Sequence, residues 1–314
     1  MKTLIIWVWA FGFAILNHLA KNNWELQFYS YEKDQNVLKT LQERRQNPYF
    51  YPNTFLPSNV VFLESLETLS EFDLVIIALP AQYIWGFVRE IKQNLKPWVT
   101  FLNLSKGIDN TTLQTPSDIL KQELWDFDYH YAILSWGMIA GELVDEKILW
   151  AQIATENMII GEKIKTLFQS QTLEITLTTE YKNIELYGSL KNVFALYMGY
   201  LEWKWYAMSS IGYYFCELYK ELPELLLLLW GTRNIDFWDF ALGGDMIATC
   251  FWNSRNRYFW KLVGEWNTPK SVEEKLKLEK KHAEGYYTLM GIKEVIYEHN
   301  FPHFSQVACI FAKD

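Results

Sequence analysis

Lysines set among apolar residues, and a carboxylate at a helix start, are the side chains of this sequence best suited to chemistry. Lys191 lies in Gly188-Ser189-Leu190-Lys191-Asn192-Val193, where Ile184, Tyr187, Leu190, Phe194, Leu196 and Met198 put apolar residues on several faces of one helix. Held there, its ammonium would lose solvation, which lowers a lysine pKa and suits the group to proton transfer. The alternative is a flexible stem that carries the charge out to water. Lys106, in Ser105-Lys106-Gly107-Ile108, follows an apolar strand pattern. It either points into the crevice where an open α/β sheet takes its ligands or sits in a solvated loop. Asp245 follows the turn Gly243-Gly244, with Thr249 one helical turn later on the same face; an N-cap carboxylate is the simpler reading of it. Asn253-Ser254-Arg255-Asn256-Arg257 gathers hydrogen-bond donors and two guanidinium groups. That is the composition of a phosphate or carboxylate pocket, or of a solvated loop.

The elements that must position these residues fall into two textures. Thr3 to Leu16 is an uncharged apolar run after Met1-Lys2. It has the look of a signal peptide, but Asn17-His18-Leu19-Ala20 makes a poor cleavage site, and Trp24 to Tyr29 resumes a strand-like pattern. A strand, helix, strand unit of βαβ size is the better reading. Further short apolar runs at Val60-Val61-Phe62, Asp73 to Pro80, Val99 to Ser105 and Tyr131 to Ser135 alternate with amphipathic stretches at Tyr83 to Asn94 and Leu113 to Glu123. This alternation predicts a doubly wound α/β sheet of Rossmann type, with ligands beyond the carboxyl ends of its strands. After Leu173 to Leu177 the apolar spacing becomes helical, with long segments at 183–201, 206–230 and 271–299. The expected organisation is a dinucleotide-binding domain over 1–180 and an all-helical substrate and catalytic domain over 181–314.

Composition narrows the function. With 314 residues, half of them hydrophobic, the chain has material for two packed domains. A net charge of -8 argues against nucleic-acid binding through general electrostatics. Cys216, Cys250 and Cys309 form no CxxC or Cys/His cluster, so neither a disulfide framework nor a metal site is expected, and a reducing, cytoplasmic setting fits. The initial apolar run is too short for a comfortable membrane span.

Taken in order, Leu102 to Ile108, Gly188 to Val193, Gly244-Asp245 with Thr249-Cys250, Ser254 to Arg257 and Ala283-Glu284-Gly285 resemble the motifs of the NAD(P)-dependent glycerol-3-phosphate dehydrogenases. Asp73 to Pro80 with Gln82, and Leu134-Ser135 through Ala140 and Glu142, add weaker matches. The resemblance implies reduction of dihydroxyacetone phosphate to sn-glycerol 3-phosphate, a step that feeds lipid synthesis, with NAD or NADP as cofactor and a homodimer as the assembly. It implies Lys191 as general acid and base, and Lys106 as a second lysine shared by substrate and cofactor. Asn192, Asp245 and Thr249 would orient the catalytic lysine and the substrate hydroxyls. Ser254, Arg255 and Asn256 match the substrate end, Arg255 being the phosphate partner and also a cofactor contact. Ala10, Phe11, Gly12, Tyr31, Ala140 and Glu284 match cofactor-contacting positions, Tyr31 at the adenosine ribose.

The departures from the family concern glycine. Trp7 and Trp9 stand at the first two positions of the GxGxxG turn, of which only Gly12 remains. Trp136, Trp203, Trp205, Trp252, Trp260 and Trp266 also stand where the family carries glycine, and the chain holds as many tryptophans as glycines, 15 of each. An indole at the second fingerprint position would fill space that a pyrophosphate needs. Glycine and tryptophan codons differ by one base, so a recoded reading, a deliberate alteration, or a relative that has lost its cofactor site each accounts for the pattern. The last of these is the alternative function: a non-catalytic relative that keeps a phosphate pocket.

Overall fold

The computed structural model describes residues 1–109, 111–136, 138–251, 255–264, 268–278 and 283–311. The side chains of residues 136, 240, 255, 261, 264, 273, 277 and 278 also lie outside the description. The chain divides into two compact units. The first comprises Met1–Ser105 and Pro116–Tyr181, and the second Lys106–Thr115 and Lys182–Asp314. Residues 106–115 thus join the helical unit, a crossing that periodicity along the chain does not reveal.

The first unit holds β1 (Thr3–Ile6), α1 (Ala10–Asn22), β2 (Phe28–Tyr31), α2 (Gln35–Arg44), β3 (Val60–Leu63), β4 (Leu74–Ile77), α3 (Ile84–Ile91) and β5 (Val99–Asn103). It continues through α4 (Pro116–Glu123), β6 (Tyr129–Trp136), α5 (Ala140–Val144), β7 (Leu149–Ala154), α6 (Met158–Phe168) and β8 (Leu173–Thr178). The strands form one sheet in the order β3-β2-β1-β4-β5-β6-β7-β8. All neighbours run parallel except β6 and β7. Parallel strands covered on both faces must be apolar throughout, and Leu4, Ile5, Val75, Ile76, Phe101 and Leu102 are fully buried. One face packs on α1 through Phe13, Leu16 and Leu19, with Phe168 of α6 in the same cluster. The other packs on α3 and α4 through Ile84, Val88, Ile91, Ile119 and Leu120. The run Thr3 to Leu16 is therefore a central strand and its crossover helix. The sequence reading named neither α2, whose Asp34 carboxylate caps the N–H groups of Asn36 and Val37, nor β7, the antiparallel strand.

The second unit is helical among its described residues: α7 (beginning at the unit boundary, Tyr181–Trp203), α8 (Met208–Leu228), α9 (Asp245–Phe251), α10 (Arg255–Gly264), α11 (Pro269–Leu278), α12 (Glu284–Glu298) and α13 (Pro302–Phe311). α7 is buried along nearly its whole length, from Asn183 to Gly199, so it serves as the axis on which the others pack. The expected segment 271–299 comprises two helices, α11 and α12, on either side of residues that lie outside the description.

Candidate active site

Because α7 is buried on all sides, a polar residue in its middle is expected to find partners within the protein. Lys191 is 2% exposed, and its Nζ donates to Oδ2 of Asp245, itself 3% exposed. Asp245 opens α9 directly after a π-helical turn over Phe240–Gly244, so Gly243-Gly244 is part of a continuous helical path and Asp245 is not the N-cap that the sequence pattern suggests. Lys106 Nζ lies 3.7 Å from the same Asp245 oxygen, so one carboxylate bridges two ammonium groups. Its second oxygen accepts a hydrogen bond from Thr249 Oγ1 at 3.3 Å, one turn along α9. The solvent-escape alternative for Lys191 is not what is found: a buried ion pair holds it.

This crowding sets the electrostatics. Desolvation lowers the pKa of Lys106 to about 7, the Asp245 charge opposing the shift and the Lys191 charge adding to it. Cys250, whose Sγ lies 3.9 Å from the Lys191 carbonyl, is pushed upward by burial. It remains a thiol and is no candidate nucleophile.

A second line of polar contacts begins at the neighbouring Asn192. Its Nδ2 donates to Glu284 Oε2 at 3.3 Å and to the Gly188 carbonyl at 3.2 Å. Its Oδ1 accepts from Asn256 Nδ2 at 2.9 Å, and Asn256 Oδ1 in turn accepts the Gly285 N–H at 3.1 Å. Residue 285 must be glycine for this: a Cβ there would stand 2.3 Å from the Asn192 carbonyl oxygen. The start of α12 therefore rests directly on the backbone of α7, and Glu284 reaches Asn192 as a result. Arg257, the second guanidinium of its cluster, is ion-paired with Glu202. Ser254 and the Arg255 side chain lie outside the described residues.

The remaining sequence-derived positions belong to the first unit. Ala10, Phe11 and Gly12 form the first turn of α1, Tyr31 ends β2, and Ala140 begins α5. Gly12 is required by close approach, since a Cβ would lie 2.1 Å from the Trp7 carbonyl oxygen. Two residues that the sequence reading missed fix this turn. The Val8 N–H donates to Oε2 of Glu32 at 3.0 Å, while Asn47 Nδ2 donates to the Val8 carbonyl at 2.7 Å. Glu32 is 1% exposed, and burial raises its pKa. Its signal was available: an acidic residue just past the second strand, about 20 residues beyond the fingerprint, is the usual ribose ligand of such folds.

The backbone here suits a dinucleotide, with a tight turn from β1 into the N-terminus of α1, beside the point where the strand order reverses between β1 and β4. The side chains do not. Trp7 and Trp9 stack at 5.6 Å between ring centroids, Trp7 also stacks on Tyr83 at 6.3 Å, and Trp9 meets Tyr49 and Phe50 at 6.1 and 5.9 Å. With indoles at the two fingerprint positions just before α1, where that turn needs residues without a Cβ, the residues present do not fit a pyrophosphate.

Residues 6–160 match the family model of the NAD-dependent glycerol-3-phosphate dehydrogenase N-terminus, and residues 180–314 that of its C-terminus. The chain belongs to this dehydrogenase family. A glycerol-3-phosphate dehydrogenase [NAD(P)+] of Fusobacterium nucleatum is 27% identical over 308 residues, covering 96% of this chain and 89% of that protein. A chloroplastic NAD(+) enzyme of Arabidopsis thaliana is 25% identical over 301 residues, covering 95% and 71%. Among solved structures, glycerol-3-phosphate dehydrogenases of Coxiella burnetii and Plasmodium falciparum share the fold at TM-scores of 0.88 and 0.90, each 19% identical over the whole of this chain and 95% and 92% of theirs. Among the described residues, no helix is long and apolar enough to cross a membrane.

Proposed function

We propose that this protein interconverts dihydroxyacetone phosphate and sn-glycerol 3-phosphate with NAD or NADP, as its family membership implies. The observation that carries the reading is the buried cluster of Lys191, Asp245 and Lys106 in the helical unit. Reducing a ketone requires a hydride at carbon, which a nicotinamide supplies when bound, and a proton at oxygen. The second requirement is one that this cluster can meet. Lys191 is the general acid toward the developing alkoxide and the base in reverse; Asp245 fixes its Nζ and Thr249 fixes Asp245. Lys106, shifted toward neutrality, supplies or withholds a second positive charge at the same place, where an oxyanion would form.

Asn192 and Asn256 hold α7, α10 and α12 in register beside the lysines, and Glu284 lies at the end of that line. Arg255 with Ser254 is assigned to the substrate phosphate on the resemblance of their motif. Domain roles follow the same reading: the sheet unit for the dinucleotide, the helical unit for the substrate and catalysis. A cytoplasmic homodimer, acting on a small phosphorylated molecule and not on nucleic acid, completes it.

The test is dihydroxyacetone phosphate-dependent oxidation of NADH and NADPH, using the chain with Trp7→Gly and Trp9→Gly so that the turn is open. Turnover with the phosphorylated ketone and not with dihydroxyacetone is expected. A variant that binds NADH tightly yet leaves the phosphorylated ketone unreduced would defeat the proposal.

A further inference from the structure

Among the described residues, nine non-glycine residues have φ in the left-handed region, and four of them are tryptophans: Trp7 at 75°, Trp98 at 64°, Trp205 at 60° and Trp230 at 61°. Tryptophan supplies 15 of 314 residues, so chance does not place it in nearly half of such sites. The left-handed region crowds a Cβ against the backbone, and a bulky side chain there is an outlier.

The hydrogen bonds around three of them identify the turn each one serves. At the end of α7, the Tyr206 N–H bonds to the Leu201 carbonyl at 3.0 Å, and the Trp205 N–H to that of Glu202 at 3.0 Å. At the end of α8, the Gly231 N–H bonds to Leu226 at 2.8 Å, and the Trp230 N–H to Leu227 at 3.2 Å. These nested pairs define the Schellman ending, whose left-handed residue is usually glycine. Before β5, the Val99 N–H bonds to the Lys96 carbonyl at 3.3 Å, closing Lys96-Pro97-Trp98-Val99. With proline second and a left-handed residue third, this is a type II turn, which also calls for glycine. Trp7 is the fourth case, in the fingerprint turn.

Burial does not compensate for the conformation. Trp205 is 94% exposed, Trp230 64% and Trp98 59%, so these indoles contribute little apolar stabilisation. Trp260, another residue at a family glycine position, buries its indole N–H without an acceptor among the described residues.

We propose that positions 7, 98, 205 and 230 are glycine in the protein made by its own cells, the codons rendered as tryptophan being decoded there as glycine. Trp98 and Trp230 join the set on backbone geometry alone. The inference goes beyond the dehydrogenase reading and stands without it, because three of the four sites lie outside the cofactor turn. With glycine at position 7 the turn keeps the backbone it already has and loses one indole of the stacked pair.

Peptide mass spectrometry on protein isolated from its own cells tests this directly. The tryptic fragment spanning residues 205–220 should carry the mass for glycine at its first position, and tryptophan there would overturn the proposal. A second measurement uses recombinant protein. The Trp98→Gly/Trp205→Gly/Trp230→Gly variant should melt above the chain as written, by roughly 1–2 °C per site, whereas Trp85→Gly inside α3 should melt below it. A triple variant melting at or below the starting chain would also overturn the inference. If glycine is found at these positions and Trp7→Gly/Trp9→Gly still fails to bind NADH, this inference stands and the dehydrogenase reading falls.

Discussion

The turn after β1 and the cluster of Lys106, Lys191 and Asp245 stand in opposite conditions. Among the described residues of the helical unit the polar side chains are paired with one another: two ammonium groups on one carboxylate, a threonine on its second oxygen, and an asparagine chain to Glu284. In the sheet unit the backbone has the dinucleotide shape while two stacked indoles occupy its fingerprint positions. A site built from side chains survives when those side chains are retained. A site built from their absence is closed by any residue with a Cβ, however well the surrounding fold is kept.

The largest expected effect separates the two regions. Lys191→Ala, made in the chain with an opened turn, should lower turnover by about 10³-fold, the scale of a general acid, and leave NADH affinity unchanged. Parallel loss of NADH binding would show that the regions are not independent. Opening the turn with Trp7→Gly and Trp9→Gly should strengthen NADH binding by at least about tenfold while leaving the pH dependence of the lysine cluster in place, as calorimetry would reveal. Unchanged binding would mean that the indoles are not what keeps the cofactor out.

A smaller effect belongs to the interhelical line. Asn256→Ala leaves the Gly285 N–H and one face of Asn192 without their partner, and loss of such a buried bond costs about 1–3 kcal/mol. Chemical denaturation should show that loss. No change would mean that α12 is held to α7 by packing alone.

How far these regions were legible in the sequence follows the same division. Parallel strands buried on both faces read as apolar runs, so β1, β4, β5 and β6 were visible, as was the helical texture after β8. Lys191 was visible as a charge in an apolar helix, although only tertiary contact with Asp245 decides between burial and escape to water. The partition of residues 106–115 with the helical unit was not visible, because it depends on chain path and not on local pattern. Glu32 was legible by its spacing from the fingerprint, but Tyr31 beside it drew the ribose assignment; what local pattern does not show is its bond to the Val8 N–H, a contact between residues 24 apart. Trp98 and Trp230 escaped notice for a related reason. Their abnormality lies in φ, and composition records only that tryptophan is abundant.

The lysine cluster also predicts a pH profile. Lys106 with a pKa near 7 is charged below that pH and neutral above it, so the cluster holds one more positive charge on the acid side. A phosphate monoester is half-way through its second ionisation at pH ~6. Substrate capture should therefore be best between about pH 6 and 7, with kcat/KM falling on the basic limb. For stability the sign is the reverse: a lysine whose folded pKa is depressed binds fewer protons in the folded state between about 7 and its ordinary value of 10.5. Stability contributed by this group accordingly rises with pH across that window. Lys106→Met should flatten the basic limb, and a limb that persists in that variant assigns it to another group.

The smallest effect concerns the choice between the two cofactors, and it tests whether the sheet unit keeps any discrimination of its own. The Glu32 carboxylate lies at the end of β2, accepting from the Val8 and Asp34 N–H groups. A carboxylate at that position can accept from a ribose 2′-hydroxyl and repels a 2′-phosphate. In the chain with an opened turn, NADH should therefore bind in preference to NADPH, and Glu32→Gln, which keeps the shape without the charge, should narrow the ratio by about tenfold, or 1.4 kcal/mol. Burial raises the pKa of Glu32, so the preference should strengthen as pH rises through that value and the group ionises. A ratio that does not move with pH or with Glu32→Gln would confine Glu32 to holding the turn, leaving the selection of cofactor to other side chains along the crevice.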